Sequence, residues 1–511
     1  MSLSFFSDTP SYHLGDAQLE KELAEKPPPK LHPHWTTSAR YTRIRILNRD
    51  DIEATYPLIA AYVQDPTLAL SIKEMVVDPD AWPLRWDGYH DELNEPAKPV
   101  YENAHAVIEA FVRGLGLGGA TTDSMIDALR WKKDHLLGRK PDMPCTFPQH
   151  NRMYADVAIV LLLSLAQNLK TLHMGRIGGD SLWAYLVHNN YGRLPTLSLQ
   201  KLERVHHIAL SRDGDDRMYD DLDPITYLRV FHRLPALETV TMDGIMEPQD
   251  YVPFYPPRTA SFKDLRITHV DISSITLAAV IRLPRALEKF ALTLGGLWHP
   301  KFGFPCVYYK TVGKALREHK TTLRELDLDL GNIGAGCNPE EEELPESDDV
   351  EEEDDDSDVS DEYWYFIDEW YNIDLADSTG PRWPHQLPNG DDGLFGTGVG
   401  SLRSFTALRR LSIDLHVLLG WCNPPFHLID ALPKGLEVLR LYDYQPGRDE
   451  FIDKDIQELL RVKEERFPDL REIEGLKEKI EVMDTRCSNR AEEELWKRPK
   501  RDVDWVRVSE L

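Results

Sequence analysis

TLRELDLDL, residues Thr322–Leu330, carries the pattern on which the rest of the chain is built. Its leucines stand at Leu323, Leu326, Leu328 and Leu330. The last three alternate with polar residues, the period of a short strand with one buried face. Leu323, three residues earlier, marks where the chain enters that strand. One such unit cannot bury its own leucines. Stacked copies can, so recurrence of the phrase predicts an array with a continuous core.

The phrase recurs in both directions. Upstream it returns at Leu169, Leu172 and Met174, and at Leu202, Val205, Ile208 and Leu210. Further copies are Leu237, Val240 and Met242; Leu265, Ile267 and Val270; and Leu287, Phe290 and Leu292. Downstream come Leu408, Leu411 and Ile413, then Leu436, Leu439 and Leu441, with Leu470 and Ile473 as a last copy. First anchors at 169, 202 and 237 are 33 and 35 residues apart, and the spacing falls to 22 between 265 and 287. The longer units leave room for a helix. Leu-Pro pairs at Leu234-Pro235, Leu283-Pro284 and Leu432-Pro433 end a helix and launch an extended segment. The fold expected is α/β: a leucine-rich-repeat solenoid, or horseshoe, with parallel strands on the concave face and helices on the convex face.

Around the repeats the chain divides by composition. Residues 1–40, with Pro27, Pro28 and Pro29, read as linker. His32 and His34 there have no Cys or carboxylate at ligand spacing, so no metal site is expected. Residues 41–150 read as an N-terminal cap and a helical and loop region. Helices are expected over 51–64, 102–113 and 122–137, the last capped by Thr122 or Asp123. Ile72, Met75 and Val77 repeat the strand phrase weakly, as a first unit. The Pro- and Trp-rich residues 78–100 read as an ordered loop. Gly114–Gly119 follow a helix rather than a strand, so they read as a helix end and turn, not a phosphate cradle. Repeats are expected over 151–335, opened by an apolar helix at 154–167, and again over 401–484. Between them, residues 336–400 hold an acidic insertion and an aromatic stretch, YWYFIDEWY at 363–371, expected to dock on the core. Residues 485–511 form a charged tail.

The net charge is -28 over 511 residues. Residues 340–362 contribute sixteen acidic residues and no Lys or Arg; without them the charge is -12. That stretch reads as a disordered, solvated insertion rather than a docking site for basic proteins. The acidic balance argues against nucleic acid as a partner. Five cysteines, none in a C-x-x-C pair, read as thiols of a reducing compartment. The first residues lack a basic segment followed by a long apolar core, and the longest apolar run, Val157–Leu163, is too short to span a bilayer. An intracellular protein, cytoplasmic or nuclear, is expected. KRPKR at 497–501 reads as a solvated basic face before an import signal.

No nucleophile elbow, zinc spacing, HExxH or Walker motif occurs, so no catalytic residue, cofactor or metal is expected. What the phrase offers is a surface. Residues between the anchors point away from the core. Unit by unit these are His173, Ala209, Thr241, Arg266, Ala291, Asp327, Ser412 and Arg440, and the polar ones are the candidate protein-binding face: His173, Thr241, Arg266, Asp327, Ser412 and Arg440. His206-His207 reads as a packed pair rather than a ligand site.

The segments LLLSLAQNLKTLHM, LPALETVTMDGI, LPRALEKFALTLGG and LPKGLEVLRLYDY resemble the repeat region of the fungal family of F-box and F-box-like leucine-rich-repeat proteins. PLIAAYVQDPTLALSIKEMVV looks like the cap before those repeats. The resemblance spans roughly 41–480 and implies a protein-binding solenoid. With an F-box it would also imply substrate recruitment to a cullin ubiquitin ligase through a Skp-type adaptor. The Leu-Pro-x-Glu start of an F-box does not occur in the first 40 residues, so the repeat module is what remains. The leading expectation is a non-enzymatic interaction scaffold with an unknown protein partner. A ubiquitin-ligase receptor and an enzyme with an unrecognised site in 78–150 are the alternatives.

Overall fold

Each phrase becomes one short strand in the computed structural model, which describes residues 41–46, 49–77, 100–136, 147–207, 211–213, 216–247, 256–294, 307, 309–330, 398–420 and 425–480. The chain is α/β and forms two compact units: the described residues up to Ile272 with Leu283–Leu294, and Ser273–Arg282 with the described residues from 307 to 480.

The first unit contains β1 (Arg43–Ile46), β2 (Glu74–Val77), β3 (Thr171–Met174) and β4 (Arg204–His207). A hairpin of β5 (Ser211–Asp213) and β6 (Asp216–Met218) follows, then β7 (Asp220–Asp221), β8 (Thr239–Met246), β9 (Asp264–Asp271) and β10 (Lys289–Leu294). Its main strands pair in the order β1-β2-β3-β4-β8-β9-β10, every neighbour parallel. Its helices are α1 (Arg49–Gln64), α2 (Pro66–Ala69), α3 (Val100–Gly114), α4 (Gly119–Leu136), α5 (Phe147–Leu165), α6 (Asp180–Asn190) and α7 (Pro224–Arg229). The second unit contains α8 (Ser274–Arg282), α9 (Tyr309–Arg317), β11 (Glu325–Asp329), β12 (Arg410–Asp414), α10 (Leu415–Leu419), α11 (Leu428–Ala431), β13 (Val438–Tyr442), α12 (Glu450–Arg466) and β14 (Glu472–Glu474). Its strands run β11-β12-β13-β14, again parallel.

The anchors are the core. Leu172, Val205, Val240, Leu265, Phe290, Leu326, Leu411 and Leu439 are all at most 1% exposed. Because the strands are parallel and in register, each layer of anchors rests on the next. Helix α7 lies on the anchor side: its Tyr227 stands edge-on to His207, ring centroids 5.1 Å apart, and its Oη donates to the Met174 carbonyl at 3.1 Å. Leu432 leaves α11 in an extended conformation (ψ 143°), but Pro433 does not launch the strand directly: it opens a turn, its carbonyl accepting from the Leu436 amide at 3.2 Å, and β13 starts only at Val438. α8 ends at Arg282, just before Leu283-Pro284.

Several expectations change. The array begins one strand earlier, because Tyr41, Ile44 and Ile46 are fully buried at the same spacing as Leu323, Leu326 and Leu328. The unit anchored on Leu265 actually starts at Phe262, also fully buried, so its distance to Leu287 is 25 residues rather than 22. The helix expected to be capped by Thr122 begins at Gly119; the Thr122 hydroxyl instead donates to the Leu117 carbonyl at 3.0 Å, within the first turn. Gly116, with φ +75°, makes the turn between α3 and α4. Gly475 takes the third anchor place of the last strand phrase. Its φ is +90°, and a Cβ there would stand 2.3 Å from the Leu441 carbonyl oxygen, so only glycine fits. The linker at 1–40, the loop at 78–99, the acidic insertion, the aromatic stretch and the tail from 485 lie outside the described residues.

Candidate functional site

Alternation along each strand puts every second residue on the face away from the anchors. In the first unit the register aligns Val76, His173, His206, Thr241, Arg266 and Ala291 across β2, β3, β4, β8, β9 and β10. Beside it runs a second row on the same face: Arg43, Glu74, Thr171, Arg204, Thr239, Asp264 and Lys289. In the second unit the corresponding rows are Asp327, Ser412, Arg440 and Glu474, and Glu325, Arg410, Val438 and Glu472.

The six residues singled out from sequence thus fall on two outward rows, three in each unit. His173, Thr241 and Arg266 share one row, and Asp327, Ser412 and Arg440 the other. They differ in what they can offer. Arg266 is exposed, and Thr241, Asp327, Ser412 and Arg440 are half-buried. His173 is only 7% exposed, packed between its neighbours, so it does not present a contact surface as it stands. Ala209 lies outside the described residues, and the register puts His206 in the place expected for it. The shift follows from the anchors: Leu202, Val205 and His207 hold the three buried positions of that phrase, with an imidazole where a leucine usually stands. Counting three then two from Leu202 would have found this, but a polar third anchor hid it.

The first unit's rows form a connected line of charge. Arg43 Nη2 lies 2.6 Å from Glu74 Oε2, and Glu74 Oε1 lies 3.1 Å from His173 Nε2. The His173 and His206 rings then stack, centroids 4.5 Å apart and 14° from coplanar. Burial raises the Glu74 carboxyl, yet the hydrogen bonds from His173 and Arg43 outweigh it and hold the group down to about 2. For His206, burial first and then the nearby His173 and Arg204 push the imidazole down to about 3. His207, pointing the other way, is sealed in the core with neither ring nitrogen hydrogen-bonded; its Nε2 stands 3.6 Å from Asp220.

Further along, β8 and β9 bulge together. Gly244 (φ 64°) and His269 (φ 50°) both take left-handed backbone, and the register steps over them. A histidine there is strained, and Asp243 holds it: Oδ1 accepts from His269 Nδ1 and from the Thr268 hydroxyl, each at 2.7 Å.

The second unit's face is organised by carboxylates. Arg440 Nε donates to Glu474 at 2.6 Å, and Tyr442 Oη donates to Asp327 Oδ1 at 2.7 Å, reaching across β12. Burial, then the charges of Asp327 and Asp329, push the Tyr442 phenol well above its ordinary range. At the strand ends Asp414 caps α10 by accepting from the His416 amide at 2.6 Å, and Asp443 binds Arg448 at 2.9 Å and Lys479 at 2.6 Å.

Among the described residues no group of three His, Cys, Asp or Glu side chains is placed to hold a metal ion, and no helix is long and apolar enough to cross a membrane. The fold and these faces define an α/β protein with parallel strands and a patterned polar surface on the side away from its core. No family model, no curated protein and no solved structure matches the chain.

Proposed function

We propose that the chain is a non-enzymatic, protein-binding module of leucine-rich-repeat type, with parallel strands on a concave face, helices on the convex one, and a protein partner held on the outward rows. What carries this reading is the register: short strands, repeated at one buried spacing, align polar side chains in rows on the face away from the anchors. Extended concave sheets of this kind suit broad protein contacts rather than small ligands. Thr241, Arg266, Ser412, Asp327 and Arg440 are the residues expected to touch the partner; His173 would do so only after rearrangement.

The test is capture of binding proteins by the full chain and by two variants, Thr241→Arg and Ser412→Arg, which place a long cation in the middle of each row. Lys454→Ala, on the exposed side of α12, serves as control. A partner retained by the control and lost by either row variant supports the reading. Partners kept by all three variants would end it. Recovery of a Skp-type adaptor and cullin would shift the assignment to a ubiquitin-ligase receptor.

A further inference from the structure

We propose that His206 is an acid-sensitive latch in the first unit: a proton on its ring parts the stack with His173 and opens the pairing of β3 with β4. The two histidines are not equivalent. His173 faces a carboxylate, Glu74, itself tied to Arg43, so a positive charge on His173 is matched. His206 has no hydrogen bond or ion pair of its own among the described residues, and its one close ring contact is His173. The charges that face it are His173 on β3, Arg204 on β4, Arg266 on β9 and, beyond His173, Glu74 on β2. Thr241, its partner across to β8, brings no charge. Arg204 is turned toward the Thr171 hydroxyl, to which its Nε donates at 3.1 Å, so it does not leave the neighbourhood. A cation at His206 is therefore half-buried, pressed against a second imidazole, and repelled by Arg204 and more weakly by Arg266, whose guanidinium is paired with Asp264 on β9.

The sign follows from linkage. Burial and the neighbouring cations hold the closed-state imidazole at about 3, whereas an opened strand returns it to water and to about 6.5. The closed form thus keeps its full advantage above pH 6.5 and loses it as the pH falls from there toward 3. Between pH 7 and pH 5 the opening equilibrium should rise roughly 25-fold. This device stands apart from the docking reading, since it needs no partner.

Amide hydrogen exchange of the full chain at pH 7 and pH 5, corrected for intrinsic rates, reads the opening directly. Amides of β3 and β4 should gain the roughly 25-fold rise, while those of β11–β13 should not. His206→Gln, which keeps a planar polar side chain but cannot take a proton, should remove most of it. A rise of equal size in that variant, or the same rise in both units, overturns the proposal. Should His206→Gln not fold, the ring titration of folded wild type decides: His206 must still be neutral at pH 5, and a midpoint near the ordinary histidine value overturns the latch.

Discussion

The strands of the first unit and those of the second share one spacing but fill it differently. In the second unit the anchors are aliphatic almost throughout: Leu326, Leu328, Leu411, Ile413, Leu439 and Leu441. In the first, the entry place, held by Leu323, Leu408 and Leu436 in the second unit, accepts Tyr41 and Phe262, and the two places after it accept Met75 and His207. The outward rows differ too, with His173, His206, Thr241 and Arg266 on one unit and Asp327, Glu474 and Arg440 on the other. Parallel pairing and burial are nonetheless alike. Apart from the last strand, where Gly475 holds the fifth place, each main parallel strand carries a side chain that fills its layer at the third and fifth places after the entry residue, and that side chain need not be leucine. The identity of the filler then sets local stability and pH response.

The comparison can be broken most sharply at an aliphatic anchor. Leu328→Asp puts an unpaired charge into a fully buried place and should cost about 4 kcal/mol in chemical denaturation, and a loss near zero would mean the anchors are not the core.

Next comes Asp156 of α5, in the first unit. It is almost fully buried, its Oδ1 has no hydrogen-bond partner, and the carboxyl rests on Gly179 at the start of α6, where a Cβ would collide with it. Burial, then repulsion from Asp180, push the group up to about 7, against the opposing pull of Arg152. An acid whose folded value is raised binds its proton more tightly when folded. It is neutral in both states below its ordinary value, so its cost appears as the pH rises above that value and is complete beyond pH 7. Stability measured against Asp156→Asn should therefore fall by about 3 kcal/mol from pH 5 to pH 8. A difference that stays flat with pH would show that the carboxyl finds water.

His207 sharpens the contrast between fillers. Replacing an imidazole that makes no hydrogen bond by the residue the second unit uses, His207→Leu, should stabilise the protein by about 1 kcal/mol at neutral pH. Destabilisation would show that its approach to Asp220 or Tyr227 matters more than its desolvation. Asp327→Ala is the smallest test. An outward residue on this spacing would be close to neutral by position alone, but the hydrogen bond from Tyr442 raises the expected cost to about 1 kcal/mol, and Tyr442→Phe should lose a similar amount.

Much of the architecture could be read before any coordinates. Leu323, Leu326 and Leu328 mark a strand by spacing alone, and the same count finds β3, β8, β10, β12 and β13. It failed where the filler was unusual. Tyr41 concealed β1, Phe262 displaced one unit by three residues, and His207 moved an outward place from Ala209 to His206. For the candidate face, the spacing put all six residues at outward places of their strands, where the register also has them. Spacing could not show that His173 is buried, because that depends on Glu74 and His206, residues 99 and 33 positions away.

From sequence alone come the periods: where strands begin, which side chains turn inward, and that stacked copies are needed to cover them. Those follow from backbone geometry within a handful of residues. Only the tertiary structure decides that His206 lies on His173, that Asp156 sits over Gly179, and that Tyr442 reaches Asp327 from 115 positions away. Burial and charge are set by whichever distant segments the register brings alongside, and no local pattern records them.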